Sequence, residues 1–455
     1  MEDTVSVIAA TFGGLMLFYA LFSLLLKDRL YISEPLVALA GGILLGPACL
    51  DWLNFQELTS TPDFTREFTR IIIAIQVMAA GVSLPKAYLR TELRSLLVLL
   101  LPVMIWMWLV SGLCVWWIIP NLGFLEALVI ASCFTPTDPV LASSIVQGRF
   151  AETHVPENIR HILLAESGAN DGLGYPFLFL AIYLVQMTIG PALQKWTLFV
   201  LGYQIIFSVI IGFVVGYLAR KGLQFAESRR LVNKESFLLF SISLALFLMG
   251  TVAMIGSDDL LACFIAGNAF TWDDWFRVET KNSSFMEVID LILNLSIFGY
   301  IGATIPWGSF INSAIGLSFG NLLILAILVL SLRRLPIIMA CYRWVPAINT
   351  WREALFVGWF GPMGVGALFY YAETMRHISP QGRTASAYLV IEPIIYFMVL
   401  SSVVVHGGTV PFFTLGSYAR RSLLPTFGTL ADDTKNDDNP VNRTSGCLYT
   451  CAVCN

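Results

Sequence analysis

Asp171 stands in a run of small and apolar residues, Glu166-Ser-Gly-Ala-Asn170-Asp171-Gly-Leu-Gly-Tyr-Pro-Phe-Leu-Phe-Leu-Ala. A carboxylate at membrane depth is costly unless it has a partner, a proton or a bound cation, so such residues mark functional sites by default. Upstream, Phe134-Thr-Pro136-Thr137-Asp138-Pro139-Val140 sets a second carboxylate in a hydrophobic stretch, flanked by two prolines. Burial favours the protonated form of a carboxyl group and a nearby positive charge favours the ionised form. One buried carboxylate can therefore hold a proton or a cation, but not both favourably. That competition is the least an exchanger of protons for small cations requires. Hard cations such as Na⁺ and Li⁺ take oxygen ligands, and Asp171, Asp138, the Ser167 hydroxyl and the backbone carbonyls near Thr137 offer them. Ser167 and Asp171 are four residues apart, as are Glu166 and Asn170, which places the four on adjoining strips of one helix. Asn170 reads as an orienting group or a partner for broken backbone. The structural alternative for either aspartate is a cap on a neighbouring half-helix, a reading stronger for Asp138 than for Asp171.

Glu166 needs a separate account, because an unpaired second carboxylate in the same helix would be strongly destabilising. The best basic partners are Arg333 and Arg334 in Leu330-Ser-Leu-Arg333-Arg334-Leu-Pro336. Arg334 is the expected partner, against the alternative that both arginines snorkel to the interface. Asp258 and Asp259 follow Thr251-Val-Ala-Met-Ile-Gly-Ser with no basic residue close by in the sequence. They fit a helix N-cap and first-turn acid, or a mouth that concentrates cations and passes them to Asp171. The four histidines offer no metal site: His154, His161 and His377 fall in or beside loops, and His406 stands alone before Gly-Gly.

These residues must be held by membrane helices. The chain is 57% hydrophobic and 13% charged, with a mean hydropathy of +0.74, far outside the range of soluble domains. The net charge of −4 points to no nucleic-acid partner. The start, Met-Glu-Asp, lacks the positive region of a cleavable signal, so the apolar stretch from Val5 to Leu26 is expected to remain as the first span. Cys49, Cys114, Cys133, Cys263 and Cys341 read as small apolar residues. Cys447, Cys451 and Cys454 make an incomplete zinc set or a palmitoylation site, with an inert tail the preferred reading. No cofactor and no catalytic residue is expected, and the chain is not read as an enzyme.

A window of about 20 apolar residues marks thirteen segments, near 5–26, 33–50, 70–87, 96–119, 124–147, 160–187, 197–219, 236–255, 258–272, 286–306, 314–340, 352–373 and 385–411. Residues 1–421 form the expected transmembrane domain and 422–455 a short, polar, disordered tail. Loops after odd-numbered spans hold eighteen lysines and arginines; those after even-numbered spans hold only Arg66, Arg70, Lys195, Arg376 and Arg383. The positive-inside rule then predicts an external N-terminus and a cytoplasmic C-terminus. Pro136 and Pro139 cannot both sit in an unbroken helix, so span five should be interrupted. Span twelve carries the matching break, Trp359-Phe-Gly361-Pro362-Met-Gly-Val-Gly366. The two spans run in opposite directions, and broken helices at corresponding positions of inverted halves mark an inverted-repeat transporter. The expected fold is therefore all-α and polytopic, with about 13 transmembrane helices, two of them broken and crossing.

Four stretches carry a family resemblance: Phe134-Thr-Pro-Thr-Asp-Pro-Val, Ala165-Glu-Ser-Gly-Ala-Asn-Asp-Gly, Asp258-Asp-Leu-Leu-Ala-Cys-Phe-Ile-Ala-Gly-Asn-Ala-Phe and Gly358-Trp-Phe-Gly-Pro-Met-Gly-Val-Gly-Ala. In order, over roughly residues 5–420, the chain resembles the fungal plasma-membrane sodium/proton antiporters of the monovalent cation/proton antiporter superfamily. The resemblance implies a thirteen-helix inverted-repeat fold, a core domain moving against a dimerisation domain, and export of Na⁺, Li⁺ and often K⁺ in exchange for H⁺. It implies a homodimer in the plasma membrane, with Na⁺ or Li⁺ bound at Asp171. By position, the family's ion-binding aspartate falls on Asp171, its asparagine on Asn170, its unwound pair on Thr137 and Asp138, and its structural acid on Glu166, with Arg334 as partner. Asp258 and Asp259 match an acidic pair important for transport. Two departures stand out: Gly361-Pro-Met-Gly364 replaces the Gly-Leu-Arg-Gly of the wider superfamily, and the tail is short.

Other classes fit less well. An intramembrane aspartyl protease would want Gly-x-Gly-Asp where this chain has Gly-Ala-Asn-Asp171, and no repeated filter loop of a channel is visible. An organellar or K⁺-preferring exchanger of the same fold is the alternative that stays open.

Overall fold

The computed structural model describes residues 2–30, 32–53, 62–139, 141–142, 155–280, 285–312 and 316–428. In chain order its main helices are α1 (Glu2–Ser23), α2 (Glu34–Leu45), α3 (Pro62–Ser83), α4 (Leu93–Ile118), α5 (Phe124–Cys133), α6 (Glu157–Gln186) and α7 (Ile189–Ser228). There follow α8 (Lys234–Met254), α9 (Asp259–Phe270), α10 (Phe285–Thr304), α11 (Phe319–Trp344), the pair α12a (Trp351–Trp359) and α12b (Val365–Met375), and α13 (Ala385–Gly428). Each of the thirteen expected segments meets one of these helices or the broken pair. Seven helices, α1, α4, α7, α8, α10, α11 and α13, are long and apolar enough to cross a membrane, and α2, α5 and α9 are shorter apolar helices. Among the described residues regular structure is helical, apart from one isolated bridge between Asn312 and Leu317.

One boundary differs from expectation. α3 starts at Pro62, not near residue 70, so Arg66 and Arg70 are helical side chains and not loop residues. Hydropathy hides this turn because its charges are neutralised inside the bundle: Arg70 Nε bonds Asp259 Oδ2 at 2.7 Å and Arg66 Nε bonds Glu373 Oε2 at 2.5 Å. α13 runs from Ala385 to Gly428. Residues 429–455, with Cys447, Cys451 and Cys454, lie outside the described residues, as do Val140, Arg149 and His154.

Between helices in lipid there is no hydrophobic drive, so small residues that let backbones approach decide the contacts. Gly42 of α2 lies against the Gly299 backbone of α10, and Gly212 and Gly216 of α7 against the carbonyls of Ala262 and Ala266 in α9. α6 meets α9 in the same way: a Cβ at Gly168 would lie 2.7 Å from the Phe264 ring, and one at Gly172 would lie 2.5 Å from Leu261 Cβ. α6 and α12b therefore form one wall of a seam whose other wall is α3 and α9. Asp171 lies on that α6 wall.

Candidate ion-binding site

α5 ends at Cys133, and the chain is non-helical until Pro139, where the missing N–H of proline suits a new helix start. α12a ends at Trp359 and α12b begins at Val365. The two breaks touch: Asp138 N–H donates to Pro362 O at 2.9 Å, and Val365 N–H donates to Asp138 Oδ2 at 3.3 Å. Asp138 thus caps α12b, where the orphan N–H groups and the positive end of the helix dipole favour a carboxylate. The opposite half-helix ends expose carbonyls, and cations meet them. Arg333 donates to both, to Phe134 O past the end of α5 and to Gly361 O at 2.7 Å past the end of α12a. Arg334 Nε donates to Val357 O at 2.9 Å.

Arg334 also grips Glu166 with both terminal nitrogens, at 2.5 and 2.7 Å, the planar fork geometry that guanidinium offers a carboxylate. Arg333 and Arg334 are 2% and 3% exposed, so neither snorkels. They sit where α11 bends, because Pro336 cannot donate into the preceding turn.

Asn170 binds Thr137 twice. Thr137 N–H donates to Asn170 Oδ1 at 3.2 Å, and Asn170 Nδ2 donates to Thr137 Oγ1 at 2.8 Å. Thr137 Oγ1 lies 3.0 Å from Ser167 Oγ. This triad ties α6 to the break in span five. Asp171, 1% exposed, is different: neither carboxylate oxygen has a hydrogen-bond partner among the described residues. Gly366 in the first turn of α12b faces it closely, since a Cβ there would lie 2.7 Å from Asp171 Oδ1. Two aspartates, a threonine and a serine hydroxyl, and the positive end of α12b thus converge on one buried spot. Rich in oxygen, and with both Asp171 oxygens without a hydrogen-bond partner among the described residues, it suits a small hard cation or a proton.

Tyr370 of α12b supports the helix behind Asp171. Pro176 has no N–H to give Gly172 O, and the Tyr370 hydroxyl donates to the carbonyls of Asp171 and, at 3.3 Å, Gly172. Tyr175, one turn beyond Asp171, packs edge-on against the Tyr370 ring at 5.5 Å. It also lines a cleft of about 460 Å³ at the end of the bundle where α3 begins and α6 ends. Arg66, Lys195, Asp258, Asp259 and Glu373 line the same cleft.

Asp258 is the N-cap of α9, its Oδ1 accepting from Leu261 N–H at 3.0 Å, while Oδ2 has no partner among the described residues. Asp259 is bound by Arg70, which also reaches Glu67 at 2.9 Å and Met249 O at 3.0 Å. The sequence shows no base near this pair because Arg70 lies far away along the chain. Arg333 as a bridge between the breaks, Tyr370, and the Ser402–His406 pair on α13 come to light only in the structure. Only that last pair, polar residues one turn apart in an apolar helix, left a local signal.

Two broken helices that meet beside a buried, oxygen-lined carboxylate form the architecture of an inverted-repeat membrane protein. The sodium/hydrogen exchanger transmembrane family matches residues 16–416, and the chain belongs to that family. A probable Na⁺/H⁺ antiporter of Schizosaccharomyces pombe is 44% identical over 90% of this chain and 56% of its own length. A second Na⁺/H⁺ antiporter of the same yeast is 37% identical over 89% of both chains, and antiporter 2 of Zygosaccharomyces rouxii is 40% identical over 88% of this chain and 52% of its own length. The chain thus spans about half the length of several curated relatives it matches. The solved sodium proton antiporter MjNhaP1 of Methanocaldococcus jannaschii shares the fold, with a TM-score of 0.63 at 17% identity over 90% of this chain and all of that one.

Proposed function

We propose that this protein is a secondary antiporter that exports Na⁺ or Li⁺, and K⁺ as well, in exchange for H⁺ across the plasma membrane. One observation carries the reading: a fully buried carboxylate, Asp171, has no hydrogen-bond partner among the described residues and lies against the crossing of two broken helices. A group left so must take a proton or a cation. Proton and cation compete for Asp171, while Asp138, Thr137, Ser167 and Asn170 shape the site around it. The Glu166–Arg334 pair, Pro136, Pro139, Gly361 and Pro362 hold the breaks open. α6 and α12b move as a unit along the seam with α3 and α9, so that Asp171 faces each side in turn. Asp258 and Asp259 gather cations in the cleft. The lysine and arginine bias supports an external N-terminus and an external cleft, and the fungal resemblance supports a homodimer.

The test is exchange in proteoliposomes with a trapped pH dye. Addition of Na⁺, Li⁺ or K⁺, but not choline, is expected to move protons. Vesicles that stay silent to all three cations would remove the antiport reading, and a response to K⁺ alone would replace Na⁺ export with K⁺ exchange. A second expectation concerns Gly366→Ala. Its methyl group would meet Asp171 Oδ1 at 2.7 Å, and a displacement of that size at a reacting group is expected to slow exchange roughly tenfold or more. Wild-type rates in a folded Gly366→Ala protein would detach α12b from the site.

A further inference from the structure

α13 carries Ser402 and His406 one turn apart, 0% and 3% exposed, against the break between α12a and α12b. Met363 N–H donates to Ser402 Oγ at 2.7 Å. Ser402 Oγ lies 3.2 Å from His406 Nδ1, and His406 Nε2 lies 3.1 Å from Trp359 O. A carbonyl only accepts, so His406 must carry its proton on Nε2 to use Trp359. Nδ1 then accepts from the Ser402 hydroxyl, whose oxygen is left to take the Met363 N–H. A second proton, on Nδ1, would meet Ser402 O at 2.9 Å and leave the Trp359 contact in place. In either charge state Trp359 stays bound to His406 and Met363 to Ser402, the two side chains linked through the Ser402 hydroxyl when Nδ1 is bare and through Ser402 O when it is protonated.

The residues between and beside these two anchors are the ones that hold Asp138. Pro362 O takes its N–H, and Val365 N–H binds its carboxylate. A break that widened at Trp359 or Met363 would shift both contacts.

We propose that Ser402 and His406 are positioning residues of the ion site: α13 sets the width of the break in span twelve, and through it the Asp138 carboxylate and the affinity for the cation. Neither residue touches the ion. The inference rests on the reading of Asp138 and Asp171 as the cation site.

The experiment uses the full chain as wild type, His406→Leu, His406→Gln, Ser402→Ala and the Ser402→Ala/His406→Leu double variant. Half-saturating Na⁺ for exchange is expected to rise about tenfold in His406→Leu and Ser402→Ala, the scale for losing a group that orients a ligand. The maximal rate should stay within about twofold, since the proton-carrying group is untouched. The double variant should be no worse than the weaker single, because both substitutions open one clamp. His406→Gln keeps an N–H for Trp359 O and should recover most of the affinity. Na⁺-dependent thermal stabilisation gives a readout independent of turnover, and its midpoint should move by the same factor. If His406→Leu does not fold, Ser402→Ala and His406→Gln carry the comparison. Folded variants with unchanged half-saturating Na⁺, or single effects that add in the double variant, overturn the clamp. Wild-type vesicles that move no protons overturn the antiport reading instead, while the thermal titration still tests the clamp.

Discussion

Asp171→Asn is expected to reduce cation-triggered proton movement to the level of empty vesicles while the protein stays folded. The amide has nearly the shape of the carboxylate, so the tight approach of Gly366 is preserved. The carboxylate accepts no hydrogen bond among the described residues, so the substitution removes no stabilising contact and takes a desolvated ionisable group out of the bundle. Stability without Na⁺ should therefore match or exceed that of the wild type. What is lost is the ability to exchange a proton for a cation. Na⁺ should also cease to raise the melting temperature, because stabilisation by a ligand requires binding to the folded state. Asp171→Glu keeps the charge but pushes an added methylene toward α12b, and is expected to retain only a small part of the rate. Exchange at wild-type rates in Asp171→Asn would exclude this residue from the mechanism.

Arg334→Met should have the largest effect on folding. It leaves the Glu166 carboxylate, 1% exposed, without its two hydrogen bonds, and breaking one side of a buried pair costs about 3–5 kcal/mol. Val357 O at the end of α12a also loses its donor. Little monodisperse protein is expected after detergent extraction. Glu166→Gln added to Arg334→Met removes the stranded charge and should restore much of the folded yield, since a neutral replacement of a buried ion pair is often tolerated. Restored protein should still exchange, with the pair acting on structure and not on the ion. Equal instability of the single and double variants would mean that Arg334 acts through the Val357 carbonyl and not through Glu166.

The parts of this protein legible in the sequence are those written in local pattern. Long apolar runs define membrane helices because the bilayer has a fixed thickness and backbone groups must pair within a segment. Pro136 and Pro139 locate one break and Gly361-Pro362 the other, because proline lacks the N–H an unbroken helix needs. Asp171 is conspicuous because an isolated carboxylate in such surroundings is rare, and the four-residue spacing on α6 places Ser167 beside it.

Only the tertiary structure decides what those groups meet. Sequence narrows the partner of Glu166 to two adjacent arginines, whereas the bend in α11 turns Arg334 onto Glu166 and Arg333 onto the carbonyls of both breaks. Asp258 and Asp259 look alike in sequence, yet Asp259 is bound by Arg70 while Asp258 caps α9 with one oxygen left over. His406 stands alone in the sequence, and only the packing of α13 along the span-twelve break brings it to Trp359 O. The physical reason is common to all three. Helix formation and the apolar runs that favour lipid depend on neighbours within a few residues, but the neutralisation of charges and freed carbonyls depends on chain segments 28 to 199 residues apart. Sequence therefore determines that a charge must be compensated, and the packed bundle determines by what.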